Sequence, residues 1–352
     1  MKCNLDCTYC DTGIYGGHDN TQRHPAVDDC IKTIDFMFEY VDRVMQNRAK
    51  AFRHVILNVY GGESLHHPQI VEILQQVHQR YQPYQSQWSL KVTCTTNGIV
   101  PRRKLQSIIP LINEFTMSYH SEVSDKYKTL FKQNLLEIKN SGKDLKCIIL
   151  MHSDAELFKD SQQMITWLAQ HNIRHLPRQL DHLTHTTEFN YENSQVQWFK
   201  KIYQEKSYNG QGHEFVPVQD QTGKSDLADT GRACCGGRQL CMDQNYKVRE
   251  YFVKNKFPGW YCSVDKFFLF IKQVNGEVFS NRDCKVNYQG QVAPIGNLND
   301  TAALLDLVNK NLTIQCVKDR CHCGLCAPKA QSRETFNQIM RKYEISNSNL
   351  LS

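Results

Sequence analysis

Three cysteines stand close together at the start of the chain, in the arrangement Cys3-x3-Cys7-x2-Cys10. One compact loop can bring their thiolates to a single metal centre. Three protein ligands leave a coordination position open, and open positions are where metal-based catalysis takes place. The alternative is a structural zinc knuckle that takes a fourth ligand from elsewhere, for example His18 or His24. The spacing therefore predicts a metal site at residues 3–10, either catalytic or structural.

Glycine-containing and polar motifs follow several of the predicted strands. Tyr60-Gly61-Gly62-Glu63 ends one strand, and Thr96-Asn97-Gly98 ends the next. Ser118 and His120 lie at the end of a third, and Arg178 lies on the last. Glycine lets a ligand approach the backbone, and charged side chains such as Arg178 can bind a carboxylate. Each of these groups can equally be an ordinary turn or strand-end residue.

Strand and helix patterns alternate between residues 27 and 180. Apolar and β-branched runs predict five strands, at 54–60, 89–96, 115–120, 146–152 and 173–180. Apolar residues at helical spacing predict helices at 27–47, 70–81, 101–109, 124–140 and 155–170. Repeated units of this kind indicate a parallel sheet covered by helices, either open or forming part of a barrel.

The cysteine loop CNLDCTYC resembles the cluster-binding loop of radical S-adenosylmethionine (SAM) enzymes. The resemblance implies that Cys3, Cys7 and Cys10 hold a [4Fe–4S] cluster whose fourth iron is chelated by SAM. It implies that one electron from the cluster cleaves SAM, and that the resulting 5′-deoxyadenosyl radical abstracts a substrate hydrogen. The GGE motif at 61–63 is then expected to hold the SAM amino group. The candidate SAM-binding residues are Gly61, Gly62, Glu63, Asn97, Ser118, His120 and Arg178.

The same resemblance predicts the fold class, an α/β protein with a partial (β/α)6-type barrel at residues 1–180. Members of this family begin with a strand before the cysteine loop. Here Cys3 follows only two residues, so that first strand is apparently missing. Either the gene start is misplaced or the barrel is completed in another way.

Nine of the fifteen cysteines lie between Cys234 and Cys326. Cys262 and Cys284 flank a predicted hairpin that turns at Asn275-Gly276, and an amphipathic helix follows before the last cysteines. This order resembles the SPASM/twitch extension of radical SAM enzymes, a cysteine-rich α+β domain with one or two auxiliary [4Fe–4S] clusters. Its expected ligands here are Cys241, Cys262, Cys284, Cys316, Cys321, Cys323 and Cys326. Zinc stays open as the metal, because an all-cysteine ligand set does not distinguish the two.

The resulting domain prediction places the radical SAM core at 1–180, a linker at 181–233, the auxiliary-cluster domain at 234–328, and a terminal helix and tail at 329–352. Some peptide epimerases of the family use a thiol as a hydrogen-atom donor. By that resemblance Cys235 is the candidate catalytic cysteine. The isolated cysteines at 30, 94 and 147 fall on apolar faces and are expected to be inert, buried thiols.

The resemblance implies an enzyme that modifies a ribosomally made peptide, by epimerisation or crosslinking, with a flavodoxin or ferredoxin as electron donor. A small-molecule substrate is compatible with the same chemistry. The first alternative is modification of a nucleotide or nucleic acid, which the formal net charge of +6 permits but does not require. The second alternative is a zinc-stapled, non-enzymatic nucleic-acid-binding protein. With no signal peptide and no apolar run long enough for a membrane span, the expected location is the cytoplasm.

Overall fold

The computed structural model describes residues 3–5, 7–10, 24–180, 189–204, 257–273, 275–281, 284–310, 312–318 and 327–344. Most of the predicted linker lies outside these ranges. Five of the cysteines to which the sequence assigns a role also lie outside them: Cys235, Cys241, Cys321, Cys323 and Cys326.

The chain divides into two compact units. The first comprises residues 1–27, 55–79 and 90–211, and the second comprises residues 28–54, 80–89 and 212–352. The domain boundaries drawn from the sequence stay a prediction.

A five-stranded sheet contains all five strands predicted between residues 54 and 180, in the order β1-β2-β3-β4-β5. The strands are β1 (His54–Val59), β2 (Ser89–Thr96), β3 (Glu114–His120), β4 (Asp144–Met151) and β5 (His175–Gln179). The pairs β2–β3, β3–β4 and β4–β5 are parallel. The sheet and its helical connections confirm the predicted α/β fold class of a partial radical SAM barrel.

Helix α1 (Val27–Gln46) precedes the first strand of this sheet. The successive strands are connected, as the alternating patterns predict, by α2 (Ile70–Tyr81), α3 (Arg102–Ile108), α4 (Asp125–Asn140) and α5 (Ala155–Gln170), and α6 (Asn193–Gln204) follows the last strand. Asp154 shows why one of them starts where it does, because its carboxylate accepts the free N–H groups of Glu156 and Leu157 in the first turn of α5. Within the first unit, α4 packs on β3 and β4, and α5 packs on β4 and β5.

Successive side chains of β3 point to opposite faces of the sheet. Phe115, Met117 and Tyr119 are buried, whereas Ser118 and His120 are only half-buried on the opposite face. The strand therefore anchors itself in the core with one set of side chains and presents the other set at its carboxyl end.

The second unit contains α1 and the carboxyl-terminal elements. These are β6 (Tyr261–Cys262), α7 (Val264–Phe267), β7 (Phe270–Lys272), β8 (Glu277–Phe279), β9 (Gly296–Asn297), α8 (Thr301–Asn309), β10 (Ile314–Gln315), β11 (Lys329–Ala330) and α9 (Arg333–Met340). They form two three-stranded antiparallel sheets, ordered β10-β6-β11 and β7-β8-β9. Phe36 and Tyr40 of α1 share an apolar cluster with Val278, Leu304 and Leu305.

For this unit the sequence predicts a hairpin that turns at Asn275-Gly276 and a helix that begins at residue 329. The hairpin at Asn275-Gly276 is present as β7 and β8, with Gly276 at a φ of +68°. The helix expected from residue 329 begins only at Arg333, because Lys329 and Ala330 pair with β6 and Ser332 then caps the helix. Long-range pairing of this kind overrides a local helical pattern.

A buried carboxylate in the second unit makes its stability depend on pH. Asp265 is 5% exposed, and its Oδ2 accepts a hydrogen bond from the Tyr288 hydroxyl at 3.1 Å. Burial raises the pKa of Asp265 to about 6, against the opposing influence of Lys266, Tyr288 and Arg48. Tyr40 interacts with both Asp265 and Tyr288, and Glu344 and Tyr343 interact with Arg48.

Because the folded protein holds Asp265 preferentially protonated, its contribution to stability is present below pH 4 and is lost as the pH rises towards 6. We expect the difference in unfolding free energy between the wild type and Asp265→Asn to fall by about 3 kcal/mol over that interval. Urea unfolding of both proteins at several pH values measures it. A difference that does not change with pH would contradict this account.

Among the helices of the described residues, none combines the length and the apolar character that a membrane span requires.

Candidate functional site

The cysteine loop is embedded in apolar side chains of the first unit. Cys7 is 7% exposed, and the loop makes a turn in which the Cys10 N–H donates to the Cys7 carbonyl at 3.2 Å. Leu5, Tyr9 and Ile99 belong to the same buried cluster, and Cys3 and Cys10 pack against it. An apolar shell of this kind excludes water and controls the redox properties of a bound metal centre.

The surroundings of Cys3 and Cys7 raise the pKa of both thiols and so favour their neutral forms unless a cation is bound. Burial raises the pKa of Cys3 and, more strongly, that of Cys7. Each of these two thiols is also influenced by Cys10, so the three lie close enough for their charges to interact. A metal centre with soft thiolate ligands relieves both penalties, and an iron–sulfur cluster is such a centre.

The chemistry of the three cysteine side chains fits an iron–sulfur cluster, because soft thiolates are the ligands that such clusters use. A four-iron cluster held by three thiolates leaves one iron open. Among the residues that the structure describes, no three His, Cys, Asp or Glu side chains are grouped as a site for a single metal ion.

Asn97 joins the cysteine loop to the end of β2. Its Nδ2 donates to Asn4 Oδ1 at 2.7 Å and lies 3.8 Å from Cys3 Sγ. Asn4 in turn donates from its own Nδ2 to the Ile99 carbonyl at 3.0 Å. Asn97 was predicted to bind SAM, and in the structure its amide holds the loop in place beside Cys3.

Glu63 connects the GGE turn to the same point. Its carboxylate is 2% exposed and accepts from Leu65 N–H at 3.0 Å, from Thr96 Oγ1 at 2.7 Å and from Asn97 N–H at 2.7 Å. Burial raises its pKa, whereas these three donors act in the opposite direction. Both oxygens are occupied, so the carboxylate fixes the two turns relative to each other. Gly61 and Gly62 form the half-buried bend that precedes it.

His120 faces the cysteine loop from the end of β3. Its Nδ1 lies 3.3 Å from Cys7 Sγ and 2.9 Å from the Tyr9 hydroxyl, and its ring is parallel to that of Tyr9 within 2°. Burial lowers the pKa of His120 to about 4, so the ring is neutral at pH 7. If Cys7 is a thiolate, only the tautomer with a proton on Nδ1 can donate to its sulfur. The structure thus brings His120, predicted to bind SAM, to Cys7, a predicted cluster ligand.

The other two candidates share one face of the sheet with His120. Ser118 lies two residues before it on β3. Arg178 of β5 is in register with Leu150, which is in register with His120 on β3, so Arg178 stands about 10 Å from His120 along the row. Arg178 is exposed. Ser118, His120 and Arg178 therefore lie on one face of the sheet, towards the carboxyl ends of β3 and β5, with β4 between these strands.

Glu122 also contacts the cysteine loop, although it was not among the predicted site residues. Glu122 follows the end of β3, and its carboxylate accepts from both the backbone N–H and the hydroxyl of Thr8, at 3.0 and 2.5 Å. The only signal in the sequence is an acidic residue soon after a strand end, which is too common to single out.

The described carboxyl-terminal cysteines belong to two apolar clusters within the second unit. Cys262 is buried beside Val264 and Ile314, with Cys284 packed against the same cluster. Cys316 is buried with Phe257 and Trp260. The structure brings Cys262 and Cys284 into one environment, as the hairpin pattern predicts, and the assignment of metal ligands here stays a prediction.

The comparisons with known proteins agree with the character of the amino-terminal site. Residues 1–141 match the family model described as "Radical SAM superfamily". No curated protein sequence matches the chain.

Solved structures give a weaker likeness. "Native anSMEcpe with bound AdoMet and Cp18Cys peptide" is 12% identical with a TM-score of 0.49, covering 88% of this chain and 78% of that chain. "Native anSMEcpe with bound AdoMet and Kp18Cys peptide" is also 12% identical with a TM-score of 0.49, covering 97% of this chain and 93% of that chain. A TM-score below 0.5 at this identity assigns no activity.

The family match covers about 40% of the chain, and the members of that family are enzymes. The protein is therefore an enzyme rather than a non-enzymatic zinc protein, and these similarities leave its subclass open.

Proposed function

We propose that the protein cleaves SAM reductively at a [4Fe–4S] cluster held by Cys3, Cys7 and Cys10, and that it uses the resulting radical to modify a peptide. The observation that carries the first part is the convergence of three thiols, with Cys7 buried and Cys3 and Cys10 half-buried, in a loop that contacts the TNG turn, which Glu63 of the GGE motif holds. When bound, the cluster supplies one-electron cleavage of SAM, the source of a hydrogen-abstracting radical.

The residues of the chain hold, orient and desolvate the cofactors. Cys3, Cys7 and Cys10 are the cluster ligands, while Glu63 and Asn97 fix the turns beside them. The bend at Gly61 and Gly62 leaves room for the SAM amino group near backbone carbonyls. Ser118 and Arg178, on the same face of the sheet, are proposed to bind the SAM carboxylate or ribose.

The peptide substrate is supported by the order of the carboxyl-terminal cysteines, which resembles the SPASM/twitch extension found in peptide-modifying enzymes. On this proposal the extension holds at least one auxiliary cluster, with Cys262 and Cys284 among its ligands. The shared apolar cluster around these two cysteines supports that assignment, since a dry environment suits a redox cluster. Cys235 is proposed as the hydrogen-atom donor.

The first test measures iron, sulfide and zinc in anaerobically reconstituted protein, followed by SAM cleavage after reduction with dithionite. We expect about eight or more irons per chain and formation of 5′-deoxyadenosine. About four irons with cleavage would keep the enzymatic assignment and remove the auxiliary cluster. Zinc without iron, and no cleavage, would overturn the proposal.

The nucleic-acid alternative has its own test. Binding of a labelled mixed-sequence RNA is measured between 50 and about 200 mM NaCl, because neutralising several phosphates makes affinity fall steeply with salt. We expect weak binding throughout. Tight binding at low salt that falls by about a thousandfold or more over this range would favour a nucleic-acid substrate over a peptide.

A further inference from the structure

We propose that Glu122 is a positioning residue for the cysteine loop, and that its negative charge lowers the reduction potential of the cluster. The inference rests on the proposed function, because it concerns the cluster held by the same loop. It is based on two hydrogen bonds that Glu122 accepts from Thr8, a residue between the proposed cluster ligands Cys7 and Cys10.

Glu122 binds Thr8 through both oxygens of its carboxylate. Oε2 accepts from the Thr8 backbone N–H at 3.0 Å, and Oε1 accepts from the Thr8 hydroxyl at 2.5 Å. Thr8 directly follows Cys7, and the turn closes two residues later, where the Cys10 N–H donates to the Cys7 carbonyl. Two charge-assisted bonds to one residue restrict both its backbone and its side chain. Glu122 therefore determines how Cys7 and Cys10 are presented to a cluster.

Glu122 lies beside a second contact between the sheet and the loop. It comes just after the end of β3, where His120 contacts Cys7, so the loop is contacted at two points near one strand end. Its side chain is only 17% exposed. His152, at the end of β4, stands beside it with Nε2 at 3.8 Å from Oε1. The His152 Nδ1 accepts from the Asp154 N–H, so in the neutral ring the proton is on Nε2, the nitrogen that faces Glu122.

The charge of Glu122 acts on the thiolates independently of the two hydrogen bonds. Glu122 accepts both hydrogen bonds from the residue that follows Cys7, so its charge lies close to the Cys7 thiolate. Cys7 itself is buried, so water screens this interaction less than it would between two surface groups. A reduced cluster carries one more negative charge than an oxidised one. A carboxylate at this place therefore disfavours the reduced state and makes the reduced cluster a stronger electron donor.

Two variants separate the effect of the Glu122 charge from the effect of its hydrogen bonds to Thr8. Glu122→Gln removes the charge and keeps a side chain of the same shape with one carbonyl acceptor. Thr8→Val removes the hydroxyl donor but keeps the charge and the backbone N–H. Glu137→Gln is the matched control, since Glu137 on α4 is 23% exposed and pairs with the exposed Arg102.

The reconstituted full-length proteins are titrated with reductant, and the midpoint potential of the amino-terminal cluster is followed by electron paramagnetic resonance. We expect a shift to higher potential in Glu122→Gln and little change in Thr8→Val or Glu137→Gln. Iron loss to a chelator is the second readout, and it should be about tenfold faster in Thr8→Val than in the wild type. Thermal unfolding of each variant checks that the fold is intact.

The outcomes distinguish this inference from the proposed function. A wild-type protein that binds no iron refutes the proposed function and the role of Glu122 with it. A wild type that binds the cluster, with an unchanged potential in Glu122→Gln, refutes only the electrostatic role. Unchanged iron retention in Thr8→Val refutes only the role of Glu122 in positioning the cysteine loop.

Discussion

The variant Cys7→Ala is expected to lose the amino-terminal cluster and with it all SAM cleavage above background. Cys7 is the cysteine of the loop that the structure holds most firmly. It is 7% exposed, its sulfur lies 3.3 Å from His120 Nδ1, and it also hydrogen-bonds with the Tyr9 hydroxyl. Removing one of three ligands leaves a cluster with two, which does not give the site-differentiated iron that SAM requires.

Iron and sulfide per chain, together with 5′-deoxyadenosine formed after dithionite reduction, measure the effect. Iron should fall by about four per chain, while any iron bound by the carboxyl-terminal cysteines remains. The matched control is Cys147→Ala, because Cys147 is a fully buried thiol on β4. It should keep full iron content and cleavage, at a cost of about 1 kcal/mol in stability. Cleavage retained by Cys7→Ala would remove this loop from the active site.

The elements of the sheet could be predicted from the sequence because each carries its own local signal. The strand predicted at 89–96 is observed at Ser89–Thr96, and the helix predicted at 155–170 is observed at Ala155–Gln170. In both cases apolar residues recur at the period of the element, and a turn or cap follows or precedes it. At Lys329 and Ala330 the local pattern predicts a helix, but these two residues pair with β6, which is distant in the sequence. The predicted helix was therefore wrong at these residues, which form a short strand.

The sequence predicts which loops and residue types form the candidate site, but not the contacts between them. The cysteine spacing and the motifs at 61–63 and 96–98 indicated which loops take part. The sequence does not show that Glu63 bonds to the backbone of Asn97, or that Asn97 reaches Asn4 across more than ninety residues. Such contacts depend on the register of parallel strands, which sequence patterns do not specify. For the same reason Glu122 was not singled out.

The variant Gly98→Ala is expected to destabilise the first unit by about 2–5 kcal/mol. Gly98 lies two residues after the end of β2 in a left-handed conformation with φ at +69°, which costs an L-residue about 1–2 kcal/mol. A Cβ at this position would clash with Met117 Cε and would lie 3.1 Å from Phe131 Cδ2. Both side chains are almost fully buried, so relieving the clash means repacking the core, at about 1–3 kcal/mol.

The effect should extend to the cysteine loop, because the next residue, Ile99, provides the carbonyl that anchors Asn4. Urea unfolding measures the loss of stability. Gly142→Ala is the matched control, since Gly142 has a similar φ of +74° but nothing lies within 4 Å of its added Cβ. It should lose only the backbone cost of about 1–2 kcal/mol, so the difference between the two variants isolates the crowding. Equal losses in the two variants would mean that the core relaxes around the added methyl group, and that the close packing of Gly98 on β3 does not constrain this turn.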